Sequence, residues 1–399
     1  MLLAGSPTDL QTDFSSLMWV FVLAAGIPIV VGLLRIRIAE VVLLLAGGML
    51  LGPSLLGLIT VGEPVAMISE IGLGFLFFQA GLEIESSILA GRSGRLAAIG
   101  WGLSLLLAGL ASATLFWAGI ISDYLGLAVA LTSTALGTLL PILRDAGILR
   151  TEQGRMFMAA GAVGEFGPIL GMSLVLGGAN KFTALGTLVA FGLIALLLAW
   201  LPRFLATRRL LALLSRGHET SSQTSVRLVV LLLIFLLTLT GRFGLDVVLG
   251  AFVAGLIVRR FAPPEQGNVL HTKVEGIAYG FFIPVFFVVS GALIDIGSVV
   301  KHPVLLIACF VLLFLCRGLP QLLVYRRAIP DLRDRWRFSL YVATGLPIII
   351  AVTTLEVANG TMSQTTAASL VGAGALTVLV FPTVARLLER RQDRAAATA

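Results

Sequence analysis

An interrupted apolar segment, Leu131-Thr-Ser-Thr-Ala-Leu-Gly-Thr-Leu-Leu-Pro141, is the most informative part of the sequence. It contains consecutive hydroxyl side chains at Thr132, Ser133 and Thr134, followed by the helix-breaking residues Gly137 and Pro141. Proline lacks a backbone N–H donor and clashes with the preceding helical turn. We therefore expect a helix that is kinked or unwound near its middle.

The sequence contains a second segment of this kind, Thr344-Gly-Leu-Pro-Ile-Ile-Ile-Ala-Val-Thr-Thr354, with Gly345 and Pro347 at its centre. Taken singly, either segment is also compatible with an ordinary proline kink, because Pro and Gly are common in membrane helices. As a pair, they predict two discontinuous helices.

The composition places these segments in a membrane. Of the 399 residues, 58% are hydrophobic and 12% are charged, whereas an average soluble domain is about 25% charged. A soluble chain would have to expose much of this apolar surface to water, so soluble enzymes, disordered chains and fibrous chains are excluded. Continuous apolar stretches of about 20 residues recur along the chain, and each is long enough to span a bilayer as a helix. We predict an all-α polytopic membrane protein with about thirteen transmembrane helices.

The basic residues predict the orientation of this bundle. They fall in loops on one side or in the C-terminal tail, with four exceptions: Lys181, Arg242, Lys301 and Arg317. Cytoplasmic loops are enriched in Lys and Arg, so we expect an external N-terminus and a cytoplasmic C-terminus. The net charge of +7 then reflects orientation in the bilayer, and we expect no nucleic-acid partner. The predicted divisions are an external tail (1–16), a transmembrane domain (17–388) and a cytoplasmic tail (389–399).

The two interrupted segments are seven predicted helices apart, so they enter the membrane from opposite sides. Paired discontinuous helices in inverted repeats are typical of transporters that bind an ion or substrate near the bilayer midplane. The sequence therefore predicts such a site where the two segments meet.

Glu165 is the leading candidate for the functional group of that site. It lies mid-span in Met158-Ala-Ala-Gly-Ala-Val-Gly-Glu-Phe-Gly-Pro-Ile-Leu170, where burying a charge costs about 2.5–3.5 kcal/mol on insertion scales. Small neighbours such as Gly161, Gly164 and Gly167 favour close helix approach and leave room for an ion. A carboxylate in this position can hold a proton or a metal cation. The alternative is a structural glutamate that is satisfied by hydrogen bonds between helices.

Arg317 is the deeply placed basic residue, and a buried cation needs an acidic partner. Candidate partners are Glu165, Glu70 in the third span and Glu356 late in the twelfth span. A charge-balancing role and a direct mechanistic role both remain open for Arg317.

Other chemistries have little support in the sequence. His218, His271 and His302 lie in predicted loops, so they cannot form a metal cluster with Cys309 and Cys316. A phosphate-binding Gly-Lys-Ser/Thr pattern is absent from the sequence. We expect neither an enzyme nor a bound cofactor.

Several motifs, in this order along the chain, resemble the cation:proton antiporter-2 family of sodium/hydrogen exchangers. They are Gly74-Phe-Leu-Phe-Phe-Gln-Ala-Gly-Leu-Glu83, Leu131-Thr-Ser-Thr-Ala135 with Pro141-Ile-Leu-Arg-Asp-Ala-Gly147, Gly250-Ala-Phe-Val-Ala-Gly-Leu256, Pro284-Val-Phe-Phe-Val-Val-Ser-Gly-Ala-Leu293 and Val380-Phe-Pro382. The resemblance implies a sodium/proton antiporter fold with two crossed discontinuous helices beside an essential carboxylate. It also implies a homodimer in which a core domain (helices within 96–177 and 303–388) slides against a fixed scaffold.

The resemblance extends to individual site residues. Glu165 matches the second position of the family's acidic pair, which is usually Asp, and Gly164 matches the first, where relatives have Asp, Asn or Gln. Arg317 resembles the family's Lys or Arg in the helix before the second discontinuous one. Thr132, Ser133 and Thr134 match the polar stretch of the first.

The function predicted from these residues and from the resemblance is exchange of Na⁺ or K⁺ for H⁺ across an inner (plasma) membrane, with Glu165 binding one cation or one proton. Because Glu165 is a single carboxylate with Gly164 beside it, we expect one-for-one, electroneutral exchange. The alternative is a sodium-coupled transporter of an organic solute with the same fold. A membrane enzyme or a non-transporting sensor is a third possibility, without a supporting motif.

Overall fold

The computed structural model is helical throughout its described part, in which every regular element is a helix. This confirms the predicted all-α fold class. The described residues are 7–34, 40–83, 91–136, 139, 148, 151–175, 186, 189–197, 223–243, 245–261 and 264–397.

Sixteen α-helices and two π-turns are used below. In chain order they are α1 (Pro7–Leu34), α2 (Glu40–Leu51), α3 (Glu63–Glu83), α4 (Arg92–Trp117), α5 (Tyr124–Leu131), α6 (Glu152–Val175), α7 (Thr224–Arg242), α8 (Val247–Phe261), α9 (Pro264–Ile277), a π-turn (Ala278–Phe282), α10 (Ile283–Ala292), α11 (Ile296–Lys301), α12 (Pro303–Leu313), a π-turn (Phe314–Gly318), α13 (Leu319–Val324), α14 (Leu332–Val342), α15 (Pro347–Ala358) and α16 (Gln364–Ala397).

Nine helices of the described chain are long and apolar enough to cross a membrane, some of them combining consecutive elements such as α14 and α15. The helix α2 is apolar but shorter. The predicted seventh span, 182–206, falls largely outside the described residues. The multi-pass architecture is thus confirmed, whereas the count of thirteen stays a prediction.

The chain divides into two compact units. The first is formed by Met1–Thr60, Glu85–Met172 and Ser290–Ala399, and the second by Val61–Ile84 and Ser173–Val289. Within the first unit, α5 packs against α4 and α15, and α16 packs against α12, α14 and α15. Both segments that were predicted to form the moving core lie largely in the first unit, although the division into core and scaffold stays a prediction.

The second unit is organised by glycine contacts between α3 and α8. A Cβ atom on Gly81 would lie 2.2 Å from the carbonyl oxygen of Phe252, and one on Gly255 would lie 2.1 Å from that of Phe78. The two backbones are therefore in direct contact. Such small-residue interfaces replace the hydrophobic driving force that is missing between helices in lipid.

Two interruptions in the first unit occur where the sequence predicts them. The first break, residues 132–135, is non-helical between α5 and the helical residues Leu136 and Leu139. The second break, residues 343–346, separates α14 from α15. Gly137 and Pro141 lie outside the described residues.

Pro347 acts differently from the expectation for a proline in mid-helix. It stands in the first turn of α15, after the break rather than within a continuous helix. At that position the missing N–H is harmless, because the first N–H groups of a helix have no intrahelical acceptor. Pro347 therefore starts the second half-helix, and the break itself is made by the residues before it.

Candidate functional site

The two breaks are hydrogen-bonded to each other. The N–H of Ala135 donates to the carbonyl oxygen of Thr344 at 2.7 Å, and the Thr134 hydroxyl donates to that of Val342, also at 2.7 Å. Unwound backbone is tolerated at membrane depth only where protein groups satisfy it. These hydrogen bonds satisfy polar groups on both sides, and the place where the two breaks meet is called the crossing below.

Glu165 lies beside this crossing. The carbonyl oxygen of its neighbour Gly164 accepts a hydrogen bond of 3.0 Å from the N–H of Thr134, which ties α6 to the first break. Glu165 is 3% exposed, so its side chain is enclosed by protein rather than facing lipid. The predicted proximity of Glu165 to the first break is thus observed.

Arg317 also reaches the first break. Its Nε donates to the Thr134 hydroxyl and its Nη2 to the carbonyl oxygen of Ala160, both at 2.9 Å. The side chain is 1% exposed and belongs to the π-turn Phe314–Gly318. Gln321 donates to the Arg317 carbonyl oxygen at 3.1 Å. π-Turns within helices are frequent at functional sites.

The guanidinium group fills the space that the glycine at 164 leaves open. A Cβ atom on Gly164 would lie 2.2 Å from Nη2 of Arg317 and 2.5 Å from the Thr134 hydroxyl oxygen. The same holds for nearby glycines, since a Cβ on Gly161 would meet Leu136 at 2.7 Å and one on Gly167 would meet Trp101 at 2.4 Å. The room expected for an ion at these three glycines is thus occupied by side chains.

The hydrogen bonds found for Arg317 go to neutral oxygens, not to the acidic partner that we expected. Glu356 is buried at the end of α15, where the Thr361 hydroxyl donates to its carboxylate. Its carboxyl carbon lies against Gly126 in the first turn of α5, beside the capping carboxylate of Asp123. Glu70 is exposed and belongs to the second unit. Charge balancing by Glu70 or Glu356 stays a prediction.

The three consecutive hydroxyls of the first break differ in their contacts. The Thr132 hydroxyl donates to the carbonyl oxygen of Val129 at 2.8 Å. That of Thr134 is engaged by Arg317 and by Val342, the residue just before the second break. The Ser133 hydroxyl is buried and has no hydrogen-bond partner among the described residues. It faces the second break, 2.7 Å from the position of a Cβ atom on Gly345. Ser133 is therefore the hydroxyl best placed to take a ligand.

The second break is held by a residue that sequence reasoning missed. Thr377 of α16 accepts from the N–H of Gly345 at 3.2 Å and contacts the carbonyl oxygen of the same glycine at 3.1 Å. A single threonine in an apolar helix carries no distinguishing signal, since such hydroxyls usually bond back to their own helix. Only the tertiary structure identifies it.

In the described part of the chain, no three His, Cys, Asp or Glu residues are grouped to hold a metal ion. The oxygen atoms at the crossing, from one carboxylate, hydroxyls and unwound carbonyls, are instead suited to a hard monovalent cation. A carboxylate among them can bind a proton as well.

Comparison with known proteins agrees with this geometry. The family described as "Sodium/hydrogen exchanger, transmembrane" matches residues 20–389. The chain is 24% identical over 406 residues to the putative Na⁺/H⁺ antiporter YjbQ of Bacillus subtilis (strain 168), an alignment that covers 96% of this chain and 64% of YjbQ. It is 27% identical over 411 residues to the glutathione-regulated potassium-efflux system protein KefC of Klebsiella pneumoniae (strain 342), covering 98% of this chain and 62% of KefC. The chain thus spans less than two thirds of the length of these two relatives.

A solved structure has the same fold. The sodium proton antiporter MjNhaP1 from Methanocaldococcus jannaschii, determined at pH 8, aligns with a TM-score of 0.61 over 94% of this chain and 96% of its own, at 18% identity. This likeness shows the fold. The family match confirms the resemblance inferred from the motifs: the chain belongs to the sodium/hydrogen exchanger family.

Proposed function

We propose that this protein is a secondary active antiporter that exchanges a monovalent cation, Na⁺ or K⁺, for H⁺ across the membrane. The observation that carries the proposal is the burial of Glu165 next to the crossing of two interrupted helices. The names of the relatives, a putative Na⁺/H⁺ antiporter and a potassium-efflux protein, support both candidate cations.

Exchange follows from the chemistry of one buried carboxyl group. A bare carboxylate is costly in an interior of low dielectric, so Glu165 is expected to hold either a proton or a cation whenever it changes sides. Binding one cation or one proton to the carboxylate gives the same net charge. The expected exchange is therefore one for one and electroneutral.

The arrangement around Gly164 supports this stoichiometry. Position 164 supplies no second titratable side chain, and its place is taken by the guanidinium of Arg317. Arg317 is tied by two hydrogen bonds to neutral oxygens, so it acts as a fixed charge rather than as a carrier. A transport current that reverses with membrane voltage would contradict the electroneutral exchange.

Alternating access is proposed to occur by an elevator motion of the core helices within 96–177 and 303–388. Hydrogen bonds at two further points of the first unit support movement of these helices as one body. The Ser122 hydroxyl donates to the Thr361 carbonyl oxygen at 2.9 Å, and Gln153 donates to Asp334 at 3.2 Å. We propose a homodimer in the inner membrane, with the N-terminus outside.

The test uses purified protein in liposomes with an imposed pH gradient, to which Na⁺, K⁺ and Li⁺ are added in turn. Glu165→Gln keeps the shape of the side chain but cannot exchange a proton, so cation-driven proton flux should vanish while the protein folds and inserts. Glu152→Gln is the matched control, because Glu152 is an exposed glutamate at the start of the same helix. Undiminished flux in Glu165→Gln would remove Glu165 from its proposed role.

A sodium-coupled transporter of organic solutes is the second candidate, and one cavity bears on it. A space of about 260 Å³ lies beside α15 and is lined in part by Asp295, Thr353 and Gln364. Pockets for organic ligands usually measure about 300–1,000 Å³, so this space is small for such a cargo. Such a transporter would leave the proton gradient unchanged when Na⁺ or K⁺ alone is added.

A further inference from the structure

The second break leaves backbone groups that need partners in a dry environment. Residues 343–346 are non-helical and buried, and an unsatisfied N–H or C=O at membrane depth costs several kcal/mol. The carbonyl oxygen of Thr344 accepts a hydrogen bond from the N–H of Ala135 in the first break. The N–H and carbonyl groups of Gly345 are instead hydrogen-bonded by a single side chain of α16.

That side chain is Thr377, which is fully buried. Its hydroxyl oxygen accepts from the N–H of Gly345 at 3.2 Å. The hydroxyl also has two acceptors within reach, the carbonyl oxygen of Gly345 at 3.1 Å and that of Gly374, in its own helix, at 2.7 Å. A hydroxyl carries one proton, so it can donate fully to only one of these oxygens at a time.

The two acceptors are not equivalent. The contact with Gly374 is shorter and intrahelical. The hydroxyl can therefore donate its hydrogen bond to the Gly374 carbonyl oxygen and still accept one from the N–H of Gly345. In that arrangement the hydroxyl still anchors the N–H of Gly345, and the carbonyl oxygen of the same residue, which belongs to the next peptide group, is released. The position of this oxygen is also limited by α16, since a Cβ atom on Gly374 would lie 2.9 Å from it.

The residue that carries this carbonyl also lies against a hydroxyl group suited to the same ligand. The Ser133 hydroxyl, which has no hydrogen-bond partner among the described residues, lies next to Gly345 across the crossing. A carbonyl and a hydroxyl oxygen are hard, uncharged ligands of the kind that replace the hydration shell of an alkali cation.

We propose that Thr377 is a positioning residue that presents the carbonyl oxygen of Gly345, beside the Ser133 hydroxyl, to the transported cation. The inference rests on the proposed antiport function, because it names ligands for the cation that Glu165 exchanges. Thr377 contacts no cation itself. When the cation is absent, the Thr377 hydroxyl donates its hydrogen bond to the Gly345 carbonyl oxygen and keeps that oxygen satisfied.

The decisive variant is Thr377→Val, which keeps the shape of the side chain and removes the hydroxyl. Without the hydroxyl, Gly345 loses its contacts with α16 through both its N–H and its carbonyl oxygen, so the carbonyl is no longer held toward the cation. We expect the half-saturating Na⁺ or K⁺ concentration for proton flux to rise about tenfold, which corresponds to about 1.4 kcal/mol of binding free energy, with the maximal rate retained. Thr377→Ser keeps the hydroxyl and should restore the wild-type value.

Thr240→Val is the matched control, because Thr240 is equally buried and, among the described residues, the hydrogen bonds of its hydroxyl go to Leu236 and Leu237 of its own helix. It should leave the half-saturating concentration unchanged. A second readout is the increase in melting temperature with added NaCl, which reports binding without transport. Thr377→Val should weaken this Na⁺ dependence, whereas Thr240→Val should not.

An unchanged half-saturating concentration in Thr377→Val, or failure of Thr377→Ser to restore it, would overturn the proposal. So would a lower melting temperature with its Na⁺ dependence intact, which is the mark of a structural role. If Thr377→Val fails to insert, Gly374→Ala tests the same oxygen with the hydroxyl present and should also raise the half-saturating concentration; an unchanged value there overturns the proposal. Failure of the antiport function itself looks different, because the wild-type protein would then show no cation-driven proton flux.

Discussion

The first and second breaks are both interruptions of a buried helix, but different groups stabilise them. At the first break, Thr134 is fixed from three sides, by the guanidinium of Arg317, the carbonyl oxygen of Val342 and that of Gly164. At the second break, the anchor is the neutral hydroxyl of Thr377, which contacts both backbone groups of Gly345. The first break is thus held rigidly by a charge, and the second retains oxygen atoms that can change partners.

The two central glycines show the same contrast. A Cβ atom at Gly164 would lie 2.2 Å from Nη2 of Arg317, whose guanidinium is fixed by hydrogen bonds. One at Gly345 would lie 2.7 Å from the Ser133 hydroxyl oxygen. A hydroxyl without a partner can rotate away. We infer that the first break determines the geometry of the site and that the second break adapts to its contents.

The largest expected effect is that of Gly164→Ala. The added methyl group must displace Arg317 or Thr134, and overpacking of this kind costs about 1–3 kcal/mol. Cation-driven proton flux in liposomes should be lost, with a lower melting temperature in detergent. Gly345→Ala is the comparison and should retain measurable flux. If Gly345→Ala is the more damaging of the two, the assignment of rigid and adaptable breaks is reversed.

Arg317→Met should give the next largest effect. Removal of a buried cation also removes its desolvation cost, so we expect a melting temperature close to that of the wild-type protein. Flux should nevertheless fall by about tenfold or more, equivalent to at least 1.4 kcal/mol, because Thr134 loses its charged partner. Arg317→Lys, which keeps the charge and one donor, should be intermediate. A fully active Arg317→Met protein would show that the first break needs no fixed charge.

The third effect, that of Thr134→Val, is a modest loss of stability. It removes the contacts with Arg317 and Val342, and hydrogen bonds between membrane helices contribute about 0.6 kcal/mol on average and up to about 1.7 kcal/mol. Thr132→Val removes one local bond to Val129 and serves as the adjacent control. The melting temperature should fall more for Thr134→Val than for Thr132→Val, and equal losses would contradict the bridging role of Thr134.

The smallest effect is expected for Glu356→Gln. The amide oxygen can accept from Thr361, and the amide nitrogen can donate to Asp123, so we expect a change in the free energy of unfolding below about 0.5 kcal/mol. Flux should remain near the wild-type rate at all cation concentrations. A strong loss of flux would instead support charge balancing of Arg317 by Glu356. The electrostatics of the first break would then depend on a residue at the end of α15.

Much of the fold could be predicted from the sequence because its signals are local. Continuous apolar stretches indicate spanning helices, and clustered hydroxyls, glycines and prolines indicate where a helix is interrupted. The breaks at 132–135 and 343–346 follow from these signals. The part played by Pro347 did not, since a proline is equally compatible with a kink inside a helix and with the first turn of a new one.

The contacts of the site could be predicted only in part. Glu165 is recognisable because an ionisable residue in mid-span is costly and rare. The partners of Arg317 are not, because the space it fills is defined by the missing side chain of Gly164, eight elements earlier along the chain. Thr377 escapes prediction for the same reason: its role arises from the proximity of α16 to the second break.

The π-turn at Phe314–Gly318 has a consequence for sequence alignment. Such a turn holds one residue more than a regular helical turn, so it is equivalent to a single insertion in an otherwise continuous helix. Removing one residue, for example Leu315, would close it into a regular α-helical turn. A homologue that lacks this extra residue would present a different side chain where the arginine stands, so this basic position should be aligned by helix geometry rather than by residue count.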